Sequence, residues 1–280
     1  MHPLRSWEAL FVALLCAVTV GVTWAHQRGD SPTFDEPIHL FAGHEYAAEG
    51  TYWLNLEHPP LLKLLAGASL GTSGVRTPSR GAPGPIALER HFSACFTTWL
   101  YGNTVPADVL LDRGRRPFPW LLALLVVCVW ASARALHGPG PALLAAGLIA
   151  FEPTFVAHAG IIHTDVGAAL TMTAATVLAL FAVEKGHIAW WAAAGCALGV
   201  ALASKFTAAL LIPLFPLLPL VQAAAGRPRP EARRVVCGLL GSLLALGAAF
   251  AVLWGVYAWC LRNMPPAEAE GAVRIFLSGR

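Results

Sequence analysis

Seven apolar runs constrain this chain more than any other feature. They cover residues 7–25, 118–136, 141–157, 166–183, 188–203, 206–225 and 235–261. A helix needs about 20 such residues to cross the hydrocarbon of a bilayer. Lipid offers no partner to backbone N–H and C=O groups, so each crossing segment has to be helical. Composition agrees: charged residues make up 12% of the 280 and the mean hydropathy is +0.60, whereas a soluble domain carries about 25% charge. The expected fold class is all-α, a polytopic transmembrane helical protein of about seven spans, read as one transmembrane domain over residues 1–280. The net charge of +3 is small, and its scattered basic residues form no nucleic-acid footprint. Lys63, Lys185 and Lys205 are the lysines among 19 basic residues. This arginine bias, with abundant Ala, Gly and Pro, suggests a GC-rich genome and hence a bacterial inner membrane. Five of the six cysteines lie within apolar runs, and Cys95 alone is expected outside the membrane, so no intramolecular disulfide is expected.

Orientation follows from the short loops, whose Lys and Arg favour the cytoplasmic side. Arg5 precedes the first run, Arg134 and His137 lie in the link 134–140, and Arg227, Arg229, Arg233 and Arg234 lie in 226–234. With these three segments inside, the N-terminus is cytoplasmic and the spans alternate. The first run is read as a retained anchor, because no small-x-small cleavage site follows Trp24-Ala25-His26. Arg113, Arg115 and Arg116 then fall outside, against the bias, which marks either a topology error or a functional basic cluster.

The outer face receives the long loop 26–117, the link 158–165, the turn at Ser204-Lys205 and the tail from Arg262. In the long loop, Thr33-Phe34-Asp35-Glu36 fits a capping box, with Pro37 tolerated in the first turn. The following stretch sets Ile38, Phe41, Ala42 and Tyr46 near one face and His39, Glu45 and Glu49 near the other, with Gly50 as the stop. That pattern predicts an amphipathic helix on the membrane surface. Tyr52 and Trp53 suit the interfacial belt. Pro59-Pro60 opens a short apolar run at 61–70, the Gly-, Pro- and Ser-rich segment 71–85 is a loop, and 86–100 is a further surface helix.

The polar residues that merit attention are Asp35, Glu36, His39, His44, Glu45, Glu57 and His58 in the loop, His158, His163 and Asp165 in the link, and Lys205. Ionisable groups at membrane depth are functional candidates. Asp35-Glu36 reads either as a helix cap or as a general base in a partly dry cavity. Two prolines hold Glu57-His58 in extended geometry, where the pair forms a solvated turn or binds a phosphate, a sugar or a metal. Lys205 either snorkels to the headgroups or neutralises a lipid-linked phosphate. No spaced metal-ligand motif such as H-E-x-x-H occurs, so no cofactor is expected and a divalent metal is a minor alternative.

These residues carry a resemblance. Phe34-Asp35-Glu36-Pro37-x-His39, Gly50, Glu57-His58-Pro59-Pro60-Leu61-x-Lys63, Phe151-Glu152-Pro153-Thr154-x-x-x-His158, Thr164-Asp165 and Gly199-x-x-x-Ala203-Ser204-Lys205-Phe206 occur in order over 33–206. The ordered set resembles GT-C glycosyltransferases, in particular bacterial relatives of dolichyl-phosphate-mannose–protein mannosyltransferases. The resemblance implies transfer of a sugar from a polyprenyl-phosphate donor to a hydroxyl of an acceptor protein or lipid, on the outer face. It implies Asp35 as catalytic base and Glu36 as the residue that positions acceptor or loop. It further implies Glu57, His58 and Asp165 lining the donor pocket and Lys205 on the lipid phosphate. Arg115 or Arg116 joining them there is an inference from topology, with Arg116 the preferred one. Relatives run on beyond the position of Arg280, so the family's C-terminal helices and outer domain are expected to be absent here. Three other readings stand beside it: a module that binds polyprenyl lipids without turnover, a metal-dependent hydrolase built on His39, His44, His58 and the acids, and a fragment without activity.

Overall fold

The computed structural model describes residues 5–71, 74–76, 99–225 and 232–278. The expected surface helix at 86–100 (save its last two residues), Cys95, Arg227 and Arg229 lie outside them. Among the described residues the protein is helical without strands: α1 Ser6–Gln27, α2 Glu36–His44, α3 Leu61–Ala68, α4 Ala107–Arg115, α5 Phe118–His137, α6 Pro139–Ala150, α7 Pro153–Ala159, α8 Asp165–Lys185, α9 Ile188–Ser204, α10 Leu214–Ala225, α11 Ala232–Cys260 and α12 Pro266–Ser278. A π-helical turn, Glu45–Glu49, extends α2, and a 3₁₀ turn, Phe206–Leu211, precedes α10.

Each of the seven apolar runs is helical, and five helical segments are long and apolar enough to cross a membrane, six if a bent pair counts as one span. Leu10, Leu14, Leu144, Leu148, Leu243 and Phe250 point outward, each more than half exposed, as spans solvated by lipid require. Two runs depart from the simple expectation. The third is broken: α6 and α7 meet at 56°. Pro153 cannot donate to the helical ladder, Glu152 is extended, and its carboxylate caps α7 by accepting from the Phe155 N–H at 2.7 Å. The fifth, α9, has 17 residues, a rise of about 25 Å against a hydrocarbon thickness of about 30 Å.

The described residues form two compact units, Met1–Gly167 with Tyr257–Arg280, and Ala168–Val256. In the second, the core joins Ala175, Ala179, Trp191, Leu198, Phe215 and Ala249. Gly195 and Gly199 lie directly against Ala245 and Ala249, where an added Cβ would come within 2.2 and 2.6 Å of backbone oxygens. Small residues let membrane helices approach this closely.

In the first unit, α1 packs on α5 and α6, pinned by the Arg134–Glu8 ion pair at 2.8 Å with Glu8 1% exposed. The loop elements form the other core, which gathers Ile38, Phe41, Tyr46, Trp99, Leu110 and Cys260. Here α2 is not an amphipathic surface helix. All nine of its residues are buried, including His39, and Glu45 just beyond it is 2% exposed. The cause is a close crossing with α3, at which a Cβ on Gly43 would sit 1.8 Å from the Lys63 carbonyl oxygen. Tyr52 joins this core, and the partly buried Trp53 packs against its edge. Tyr52 is 8% exposed and donates to the His58 carbonyl at 3.1 Å. Trp53 stacks edge-on against Phe41 at 6.4 Å.

Candidate active site

The site begins at the N-terminus of α2. The capping box forms only by half. Glu36 reaches back to accept from the Thr33 N–H at 2.8 Å and its hydroxyl at 3.1 Å. The helix starts at Glu36 itself, so Thr33 is not the N-cap; Asp35 holds that position and makes no cap hydrogen bond. Glu36 is fully buried and its carboxylate is consumed. Arg115 Nε and Nη2 each bind one of its oxygens at 2.7 Å, and the Ile162 N–H adds a third contact at 2.9 Å. Arg115 is itself 1% exposed and also donates to the carbonyls of Gln27, Asp30 and Ser31. Burial alone raises the Glu36 pKa. The hydrogen bonds and charge of Arg115, with the Thr33 and Ile162 amides, outweigh it and hold the carboxyl below its ordinary value.

Adjacent carboxylates therefore have different fates. Glu36 is an internal anchor that stitches α2 to the end of α4 and to the 162–165 link. Arg115 is its partner rather than a ligand for an external phosphate. Asp35 is half-exposed and has no side-chain hydrogen bond to the described residues. Arg116 is exposed.

The second segment is the turn 55–58. Asn55 adopts a left-handed conformation, φ 53°, tolerated because its short polar side chain bonds locally. Its amide donates to Glu57 Oε1 at 2.9 Å, which leaves Glu57 exposed at the tip. Lys63, 1% exposed, holds the turn from below. Its Nζ donates to the Asn55 carbonyl at 2.6 Å, the Asn55 side-chain oxygen at 3.0 Å and the His58 carbonyl at 2.8 Å. An ammonium has three donors, and all are used. The Tyr46 and Tyr52 rings lie 5.3 and 5.8 Å away. Burial pushes the Lys63 pKa down to about 7, against the opposing charge of Glu57.

The third segment is the link before α8. His39, one turn along α2 from Asp35, faces the Ile162 carbonyl through Nδ1 at 3.2 Å. A carbonyl only accepts, so Nδ1 carries the proton and Nε2 the lone pair. His39 meets His58 edge-on at 5.4 Å and His163 at 6.3 Å, and His163 meets His158 at 5.7 Å. His163 also contacts Asp165 at 3.1 Å. Asp165 opens α8 and lines a small pocket with Thr154, Phe155, His158 and Val166. Among the described residues no three His, Cys, Asp or Glu side chains are grouped to hold a metal ion.

The first unit thus brings Asp35, Glu36, His58 and Asp165 into one connected assembly, with Glu57 at its edge. Lys205 belongs to the second unit, where it is half-exposed and extended at the end of α9. The sequence reading assigned no role to Lys63, and the imidazole row was visible only as scattered histidines. Lys63 stood in the sequence only as the last residue of the Glu57-His58-Pro59-Pro60-Leu61-x-Lys63 motif, inside an apolar run.

Burial, then the Lys63 charge, push the His39 pKa down to about 3, so the folded protein keeps this ring neutral. An unfolded His titrates near 6.5, and unfolding at lower pH takes up a proton. The stabilising effect is full above about 6.5 and is lost as pH falls toward 3. Glu36 adds a loss of the same sign below its unfolded value. The thermal midpoint of the protein in detergent is expected to fall between pH 7 and pH 5. His39→Asn, which preserves the bond to Ile162, is expected to reduce the slope over that interval, leaving the part that the buried His44 adds with the same sign and the decline below pH 4.5. An unchanged slope from 7 to 5 in the variant would remove His39 as its source.

The sequence profile of the family described as dolichyl-phosphate-mannose-protein mannosyltransferase matches residues 115–256. No curated protein sequence matches the chain. Among solved structures, the S. cerevisiae protein O-mannosyltransferase complex bound to the sugar donor matches the fold with a TM-score of 0.72 at 20% sequence identity, over 94% of this chain. The chain spans 35% of the length of that yeast protein chain.

Proposed function

The chain belongs to the dolichyl-phosphate-mannose-protein mannosyltransferase family, and from that premise we propose that it is a membrane glycosyltransferase using a polyprenyl-phosphate-linked sugar. The observation that carries this reading is the division of labour between neighbouring carboxylates. Glu36 is spent on Arg115, Thr33 and Ile162, and Asp35 is left half-exposed at the tip of a firmly held helix. A general base needs that combination of fixed position and open access.

In the reaction, the hydroxyl oxygen of an acceptor protein or lipid attacks the anomeric carbon of the donor. The new C–O bond forms as the bond from that carbon to the phosphate oxygen breaks. Asp35 takes the hydroxyl proton, and polyprenyl phosphate leaves with the bonding pair. The exposed Arg116 neutralises charge developing on the phosphate. Glu57, His58 and Asp165 line the donor side. The reaction takes place at the outer face of a bacterial inner membrane, with the N-terminus inside. A phosphate leaving group removes any need for a nucleotide-binding fold.

Transfer of labelled sugar from polyprenyl-phosphate donors in membranes tests this. Asp35→Asn, isosteric and uncharged, is expected to lower turnover by about 10²–10⁴-fold, the usual worth of a general base, at unchanged expression and donor binding. Turnover in the variant equal to that of the unsubstituted chain would exclude Asp35 as the base. Donor binding without turnover in either would favour a lipid-binding module.

A further inference from the structure

The C-terminal end of the site helix is closed by residues more than 200 positions away in sequence. The last carbonyls of a helix have no partner within it. Here they belong to Tyr46, Ala47, Ala48 and Glu49, followed by Gly50, whose left-handed backbone (φ 68°) ends the π-helical turn. Arg262 Nη1 donates to the Tyr46 carbonyl at 2.9 Å, and Nη2 to Ala47 at 2.7 Å and Ala48 at 3.5 Å. The Asn263 side chain takes Glu49 at 2.9 Å, and its backbone N–H takes Gly50 at 3.0 Å. One dipeptide therefore meets five carbonyls in a row. Its guanidinium also stands at the negative end of the helix dipole. Arg262 is itself oriented, stacked on the Trp259 ring at 4.6 Å and bonded to the Trp259 carbonyl at 2.9 Å. The last turn of α11, to which Trp259 belongs, is fixed in the same core as α2 through Tyr257 and Cys260. Contact is tight enough that a Cβ on Gly50 would lie 2.6 Å from Arg262 Cγ.

We propose that Arg262 is a positioning residue for sugar transfer: by capping the far end of the α2 rod it sets where Asp35 stands at the near end. This rests on the glycosyltransferase reading above. From residue 35 to residue 50 the element is continuous and held at three places. Glu36 anchors its start, Gly43 crosses α3 in its middle, and Arg262-Asn263 hold its end. A rod of this length, about 20 Å at 1.5 Å per residue, turns a small displacement at one end into a shift at the other. Misplacement by 1 Å costs on the order of 100-fold in rate.

The test uses the full chain in detergent or nanodiscs, with hydrogen exchange and sugar transfer measured together. In Arg262→Ala, amide protection is expected to fall at 45–50 and also along 36–44. Turnover is expected to drop by about 100-fold with KM for the donor little changed. Guanidinium ion in the buffer should restore a large part of the lost turnover, because the arginine site opens to solvent. Arg262→Lys, which keeps the charge without the fork, should not restore it. Gly50→Ala, which pushes the arginine aside, should reproduce the defect. Unchanged protection along 36–44, or native turnover in spite of lost protection at 45–50, overturns the proposal. Lost turnover that guanidinium fails to restore also overturns it, because general unfolding explains that result. If the unsubstituted chain transfers no sugar, the glycosyltransferase reading fails instead, and the clamp stands or falls on the exchange along 36–44.

Discussion

Arg115→Met is expected to leave little folded protein in a membrane extract. The substitution strips Glu36 of both Arg115 hydrogen bonds and leaves a carboxylate that is 0% exposed facing the core. It also removes the arginine donor from the carbonyls of Asp30 and Ser31, at 3.1 and 3.3 Å, and one of the two donors to the Gln27 carbonyl. Removing one member of a buried pair costs about 3–5 kcal/mol, against total stabilities of about 5–15 kcal/mol. Glu36→Leu is expected to be nearly as damaging, because it also frees the Thr33 and Ile162 amides. The double variant separates the pair from its surroundings. If ion pairing dominates, the two changes together cost clearly less than their sum. Strict additivity of the thermal midpoints would mean that the backbone contacts carry the effect.

Gly67→Ala is expected to be almost as severe, for a steric reason. A methyl at this position would sit 1.9 Å from the Gly43 carbonyl carbon and 2.2 Å from the His44 nitrogen. These are backbone atoms and cannot rotate away. In an open helix the same change favours folding by about 0.5–1 kcal/mol, and overpacking costs about 1–3 kcal/mol or more, so the clash wins. Gly247→Ala on α11 is the control. Nothing lies within 4 Å of its Cβ position, and the thermal midpoint should hold or rise. A Gly67→Ala protein as stable as the parent would mean that α2 and α3 do not cross at these glycines.

The spans were legible because lipid imposes a pattern that a single sequence displays. All seven apolar runs fold as helices close to their expected limits. Pro153 was visible too, although its effect, a break instead of a continuous third span, depends on Glu152 capping the new helix. The loop was harder to read. Its periodic apolar face suggested a surface helix, yet Gly43 and Gly67 let a second helix cover the face that holds His39. A glycine in sequence does not announce which backbone will approach it. The site was half legible. Asp35 and Glu36 stood out as a pair, and their separate roles required the partner Arg115, which is 79 residues away. Lys63 was hidden because a lysine whose donors all end on carbonyls leaves no charge partner in the sequence. Arg262 was hidden for the same reason: it recognises helix-end carbonyls, which every residue type presents equally.

The break between α6 and α7 has a physical consequence for the surrounding bilayer. At a 56° bend the helical ladder is interrupted, and uncapped peptide groups at that depth are tolerated only where protein or water covers them. Beside the break, Thr154, His158 and Asp165 border an open pocket, so water has reason to follow the chain inward there. The hydrophobic slab should thin locally into a wet dimple. A charged lipid headgroup entering that dimple would meet the protein's polar groups without lifting its tail out of the membrane.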